Sequence, residues 1–192
     1  MKSIAFATSL ALAGLSTAAF AAPEQYNLDA SHSQVLFSYE HLGFSTTYNM
    51  FAGFEGEIMF DQEDPANSSV SVAMPVKSLY TGWEKRFEHF MGDDFFGAED
   101  GDMITFTSTG IEVTGDNTAE ITGDLTMNGV TKSVVLDATL NKAAAHPMQE
   151  KAWVGFDATT TLLRSDYGLD YAAPAISDEV EVMISVEAGK AE

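Results

Sequence analysis

Nine stretches of the sequence alternate apolar and polar residues with a period of two, and this repeat constrains the fold more than any other feature. In the first, Val35, Phe37 and Tyr39 share one face, with Gln34, Leu36 and Ser38 on the other. The pattern returns at 54–61, 69–76, 104–108, 111–113, 121–127, 134–139, 154–161 and 179–186. A period of two is the spacing of an extended strand with one dry face and one wet face. Turn signals separate the runs: Asp64-Pro65-Ala66-Asn67, Gly115-Asp116-Asn117, Asn128-Gly129 and Ser165-Asp166-Tyr167-Gly168. Asn128-Gly129 between two alternating runs predicts a tight hairpin.

Eight or nine short strands imply an antiparallel all-β sandwich or barrel, and closure into a barrel removes exposed edges. A membrane-spanning barrel would turn its outward positions to lipid. Here those positions carry Glu55, Glu57, Asp61, Asp137, Glu179 and Glu181, and charges on a lipid face are costly. The expected fold is therefore an extended antiparallel eight-stranded barrel of the lipocalin type. One segment breaks the period. Thr81-Gly82-Trp83-Glu84 has the form of a capping box, and Trp83, Phe87 and Phe90 follow at helical spacing before Gly92. This predicts a helical insert over about 81–91, with an aromatic stripe to bury at one end of the barrel.

The amino terminus reads as an address. Lys2 is followed by Ile4-Ala5-Phe6-Ala7, Leu10-Ala11-Leu12-Ala13-Gly14-Leu15 and a small-residue site, Ala19-Phe20-Ala21. A positive start, a short apolar core and a small-x-small end are those of a secretory signal. The expectation is a signal peptide over 1–21, export to the periplasm, and a mature domain over 22–192. Removing 21 of 192 residues leaves 171, with eight basic residues against 29 acidic ones, a net charge of −21. No later stretch is long and apolar enough for a membrane-spanning helix.

That charge argues against a nucleic-acid partner, because neutralising phosphates needs Lys and Arg in quantity. The chain has no cysteine, so disulfides, thiolate metal sites and cysteine nucleophiles are absent. The histidines, His32, His41, His89 and His146, form no metal-binding pattern and no metal or cofactor is expected. No nucleophile elbow, phosphate loop or isolated acid–base pair stands out, so the chain does not read as an enzyme. The aromatic residues are lopsided: nine of the eleven Phe residues after Ala21 lie between Phe37 and Phe96. They suit either a Phe-rich core or an apolar ligand cavity inside a small barrel.

Several stretches together resemble the YceI-like family of polyisoprenoid-binding periplasmic proteins. Tyr26-x-Leu28-Asp29-x-x-His32-Ser33-x-Val35-x-Phe37-x-x-x-His41 is similar to its opening strand, and Gly53-Phe54-x-Gly56-x-Ile58-x-Phe60-Asp61 to its second. Ser78-Leu79-x-Thr81-Gly82, Arg86, His89 and Asp94-Phe95-Phe96 resemble its helical insert. Gly123-Asp124-Leu125-Thr126-Met127-Asn128-Gly129-Val130-Thr131-Lys132, Gly155-Phe156, Arg164-Ser165-Asp166-Tyr167-Gly168 and Asp178-Glu179-Val180 resemble its later strands and turns. The chain departs from the family at Phe87, Phe90 and the stretch 97–103.

The resemblance implies a barrel that holds an isoprenoid or other long-chain lipid in its interior, in transport, storage or a stress response. It places Val35, Phe37, Tyr39, Phe54, Ile58, Phe60, Phe106, Leu125 and Phe156 in the tube lining, with Trp83, Phe87 and Phe90 as a lid. His32, His41 and Arg164 are the polar candidates near the ligand, and Arg164 beside Asp166 is expected to form an ion pair that pins the turn. The scarcity of cations favours a neutral headgroup, such as a quinone, fatty amide or alcohol, over a diphosphate. A homodimer is the assembly expected if the chain self-associates. Two other readings use the same residues: an enzyme acting on a lipid within the barrel, and a filled barrel serving as a structural partner.

Overall fold

Ten strand segments and one helix are described by a computed structural model of residues 22–192. The expected signal peptide, 1–21, lies outside the described residues. The strands are β1 (Glu24–Leu28), β2 (Gln34–His41), β3 (Ser45–Phe51), β4 (Glu55–Phe60), β5 (Ser69–Pro75), β6 (Met103–Val113), β7 (Thr118–Met127), β8 (Val130–Ala145), β9 (Ala152–Leu163) and β10 (Glu179–Lys190). The helix α1 spans Glu84–Met91, between β5 and β6.

The order β1-β4-β5-β6-β7-β8-β9-β10, with β1 paired again to β10, closes an eight-stranded antiparallel barrel. Ten segments give eight staves because two staves are interrupted. The end of β10, Ala188 to Lys190, pairs with β1, while Glu181 to Ser185 pair with β2. So β1 and β2 run in line along one side of β10, broken at 29–33. Strands β3 and β4 make the next stave in the same way, pairing with β2 and β1 respectively. The outer edge of β3 holds one bridge, Met50 to Tyr80. There the 80–96 segment packs, with Phe90 and Phe96 against Phe51.

The alternation in the sequence becomes the inside and outside of this barrel. Val180, Val182, Ile184 and Val186 of β10 face in, and the outward Glu179 and Glu181 are exposed. The Asn128-Gly129 hairpin forms as expected, with φ of 51° and 73°. Gly123 of β7 makes room for a ring: a methyl group there would lie 2.3 Å from the tip of Phe106. Two apolar clusters hold the staves. One gathers Tyr26, Ile58, Phe60, Val154 and Ala188. The other gathers Phe51, Val76, Leu79, Phe90 and Ile104, with Phe37, Phe95 and Phe96 against it.

Three expectations need correction, and one strand lies outside the predicted runs. Strand β3 is not signalled by apolar alternation, since its inward positions are Thr47, Asn49 and Phe51. The helix starts at Glu84, three residues later than expected. The Thr81 hydroxyl donates to the Trp83 carbonyl and accepts from the Trp83 N–H, and this tight turn holds 81–83 out of the helix. Asp61 does not face solvent. It is buried, and its carboxylate accepts the N–H groups of Glu63 and Asp64, which turns the chain after β4. Arg164 has no ion pair with Asp166, whose carboxylate instead lies 3.4 Å from Lys132 Nζ.

Candidate ligand cavity

Facing apolar positions from every stave leave the barrel axis open, as a cavity of about 340 Å³ with an almost wholly apolar lining. That volume falls within the range of small-molecule sites. One end is closed by Phe51, Phe90, Phe95 and Phe96, where rings meet edge to face at centroid distances of 4.8 Å for Phe90–Phe95 and 6.4 Å for Phe51–Phe96. The middle is walled by Ile58, Phe60, Phe106, Leu125, Phe156 and Val182. At the far end the lining includes Asp116, Asn117 and Thr118, all exposed. The cavity therefore opens to solvent beside the β6–β7 turn, near Pro65 and Ser68.

Of the residues singled out in the sequence, Val35, Phe37, Tyr39, Phe54, Ile58, Phe60, Phe90, Phe106, Leu125, Phe156 and Arg164 lie in this wall. Trp83, Phe87 and His41 do not. Trp83 precedes α1 and is 58% exposed, its ring facing the Arg86 guanidinium at 6.0 Å. Phe87 packs against the Phe51 cluster without entering the cavity wall. His41 ends β2 in a bridge to Ile176. His32 is also outside the wall, in the loop between β1 and β2, where its Nδ1 lies 2.8 Å from Asp29 Oδ2. The Ser31 and His32 hydrogen bonds hold the Asp29 carboxyl at about 2, and the Asp29 carboxylate raises the His32 imidazole above its ordinary value. Asp29, His32 and Glu187 converge on the surface there, outside the cavity wall.

Arg164 is the cation in the wall, and it is fully engaged. Its Nε donates to the Ser177 carbonyl at 2.8 Å, Nη2 to Ile176 at 2.9 Å, and Nη1 to Tyr171 at 3.0 Å and to Leu169. Four of the five N–H groups of the guanidinium thus fasten the 169–177 segment across the end of the barrel. The other ionisable wall groups are Tyr39, Asp116 and Asp157. Asn49 of β3, which the sequence does not single out, lies outside this wall. It is 3% exposed, and neither its amide nitrogen nor its oxygen has a hydrogen-bond partner among the described residues. The buried Tyr167 hydroxyl is unpartnered as well, and burial raises its ionisation above the ordinary tyrosine value.

With this geometry in hand, the comparisons are consistent with one another. The sequence profile of the YceI-like domain matches residues 26–188. A UPF0312 protein of Pseudomonas putida is 37% identical over 190 residues, covering 97% of this chain and 95% of the relative. The YceI protein of Campylobacter jejuni superposes with a TM-score of 0.72 at 30% identity, over 80% of this chain and 90% of that one. A polyisoprenoid-binding domain from Saccharophagus degradans, implicated in plant cell wall breakdown, shares the fold with a TM-score of 0.68 at 16% identity, covering 86% of this chain and 98% of its own.

Proposed function

The chain belongs to the YceI-like family, and from that premise we propose that it is a carrier for one long-chain amphiphilic lipid, an isoprenoid or a chain of similar length, held along the barrel axis. The apolar cavity that runs from the Phe90 end to the Asp116 mouth carries this reading. The polyisoprenoid-binding domain of the same fold supports it.

Burial contributes about 0.8 kcal/mol per CH₂. Ten methylenes contribute roughly 8 kcal/mol, which only offsets an association cost of about 4–15 kcal/mol. The site therefore favours long chains over short ones. The protein acts by binding rather than by catalysis. The wall holds few ionisable groups, and its arginine is already bound to backbone carbonyls. The first 21 residues are a secretory signal, and the mature domain works in the periplasm. Intact mass of the exported protein is expected to correspond to a chain beginning at Ala22; retention of Met1 sinks that assignment.

The carrier reading is tested with saturated alcohols of increasing length displacing a bound fluorescent lipid. Affinity is expected to climb several-fold with each two-carbon step up to the length of the cavity. A flat response across the series overturns the reading.

A further inference from the structure

We propose that the barrel carries a surface site for one divalent transition-metal ion of the zinc class, with Asp29, His32 and Glu187 as its ligands. The site lies outside the cavity and stands apart from the carrier reading. One ligand atom from each of the three residues lies within 4.8 Å of the other two. Asp29 and His32 come from the 29–33 break between β1 and β2, and Glu187 from β10, the strand with which both pair. The backbone fixes this meeting. The Asp29 N–H donates to the Glu187 carbonyl at 2.8 Å, and the Glu187 N–H donates to the hydroxyl of the buried Ser33 at 3.3 Å. The side chains are also held by residues outside the trio. Trp153 Nε1 donates to Glu187 Oε2 at 3.0 Å. The Ser31 N–H and hydroxyl donate to Asp29 Oδ1 at 2.9 and 2.6 Å. Each carboxylate thus has one oxygen held by a donor, which leaves the other for an ion. Supporting donors of this kind orient metal ligands.

The chemistry of the three groups selects the ion. Two carboxylates and a neutral imidazole cancel the charge of a divalent cation. Among the described residues, neither carboxylate forms an ion pair with a Lys or Arg. Lys151 is held over the Trp153 ring at 5.5 Å. The chain's net charge of −20 draws cations to its surface. Calcium and magnesium take six or more ligands that are oxygens. An imidazole nitrogen with two carboxylate oxygens suits zinc instead, and leaves the fourth position of a tetrahedral ion to water. Ligands about 2.0–2.2 Å from a tetrahedral zinc lie about 3.3–3.6 Å apart. The present spacing reaches that by rotation of the side chains, and the His32 side chain is 64% exposed and has the room to swing. Entry of the ion replaces the 2.8 Å contact between His32 and Asp29. Leu28 and Val186, the chain neighbours of Asp29 and Glu187, line the cavity. A bound ion therefore ties the broken stave to β10 just outside the wall.

The test titrates Zn²⁺ into the metal-free protein by calorimetry. The parent is expected to bind one ion per chain, and an excess of Ca²⁺ or Mg²⁺ is expected not to displace it. His32→Gln and Glu187→Gln should each weaken Zn²⁺ at least tenfold. His89→Gln removes the imidazole of the exposed His89–Asp94 pair, 3.3 Å apart, and should change the affinity by less than twofold. In the parent labelled with ¹⁵N, the Trp153 indole N–H resonance should shift on adding Zn²⁺, because its acceptor is a ligand, while that of Trp83 stays fixed. Zn²⁺ should also raise the thermal unfolding temperature of the parent and leave that of His32→Gln unchanged. The assignment is overturned by a parent without a one-to-one site, by full affinity in either His32→Gln or Glu187→Gln, or by a fixed Trp153 resonance. Loss of binding in His89→Gln with none in His32→Gln moves the ion to the other pair and overturns it too. Where a variant does not fold, the Trp153 resonance of the parent decides alone.

Discussion

The two ends of the barrel are built from different residues. At the closed end, Phe51, Phe90, Phe95 and Phe96 interlock under α1, and Phe90 also meets Tyr39 at 6.3 Å. At the open end, Gly115, Asp116, Asn117 and Thr118 of the β6–β7 turn are all exposed. Edge-to-face aromatic contacts add specific stabilisation to a large apolar burial. An exposed polar turn adds little, and leaves an entrance unobstructed. The asymmetry separates two tasks in one cavity: one end holds the fold together and the other admits a guest. It also gives the cavity a direction, which the uniform aliphatic row of β10 would not.

The largest effect is expected where the closed end is unplugged. Phe90→Ala removes a ring that is 8% exposed, and Phe to Ala in a core costs about 3–5 kcal/mol. Asp116→Ala at the mouth should stay within about 0.5 kcal/mol. Denaturant unfolding of both variants reads the contrast, and equal losses would erase it.

Arg164→Lys sharpens the same comparison. The charge is kept, but an ammonium cannot reach Ser177, Leu169, Tyr171 and Ile176 together. Each buried carbonyl left unpartnered costs about 1–3 kcal/mol, so the loss should be at least about 2 kcal/mol. Faster amide exchange confined to 169–177 would accompany it. Unchanged exchange in that segment would mean that the arginine does not fasten it.

Gly123→Ala tests the middle of the tube. The new methyl group meets Phe106 and the Thr107 carbonyl, at 2.3 and 2.7 Å in the present positions. Overpacking of this kind costs about 1–3 kcal/mol. It should also push the Phe106 ring into the cavity and reduce lipid uptake. Full uptake would show that Phe106 has room to move elsewhere.

The smallest effect is expected outside the cavity, at Asp29 and His32. The depressed Asp29 contributes stability that is present above its unfolded value and is lost as pH falls through about 2. The raised His32 contributes stability that is present below its unfolded value, near 6.5, and is lost as pH rises through its folded one. Both are present between about pH 4 and 6.5. NMR titration of His32 should show a pKa above 6.5, falling back in Asp29→Asn; an unchanged titration in that variant removes the pairing.

The architecture was legible in the sequence because a barrel interior repeats one rule along every stave. Val35, Phe37 and Tyr39, or Val182, Ile184 and Val186, announce their inner face by period alone. The same rule hid β3, whose inward positions begin with Thr47 and Asn49, so no apolar alternation marked it. Asn49 shows the same limit: burial without a partner is a property that spacing does not record. Helical spacing groups Trp83 with Phe87 and Phe90 and so predicts it over the cavity. The Thr81 turn keeps it out of the helix and leaves it on the surface. Proximity in sequence pairs Arg164 with Asp166. The fold instead wraps 169–177 around the guanidinium, and contacts of that kind depend on tertiary structure that local sequence does not reveal.

The central claim is that the barrel carries a lipid along its axis. Native mass spectrometry of the protein purified from its exported form, followed by lipid extraction, tests it most directly when set beside Phe37→Trp. Phe37 lines the cavity next to the closed end, and a larger ring there should occupy the path of the chain. The expected result is one long-chain lipid per protein in the parent and a marked loss in Phe37→Trp, with both forms folded. A folded parent with no lipid that takes none up, or a Phe37→Trp variant carrying as much lipid as the parent, would contradict the account.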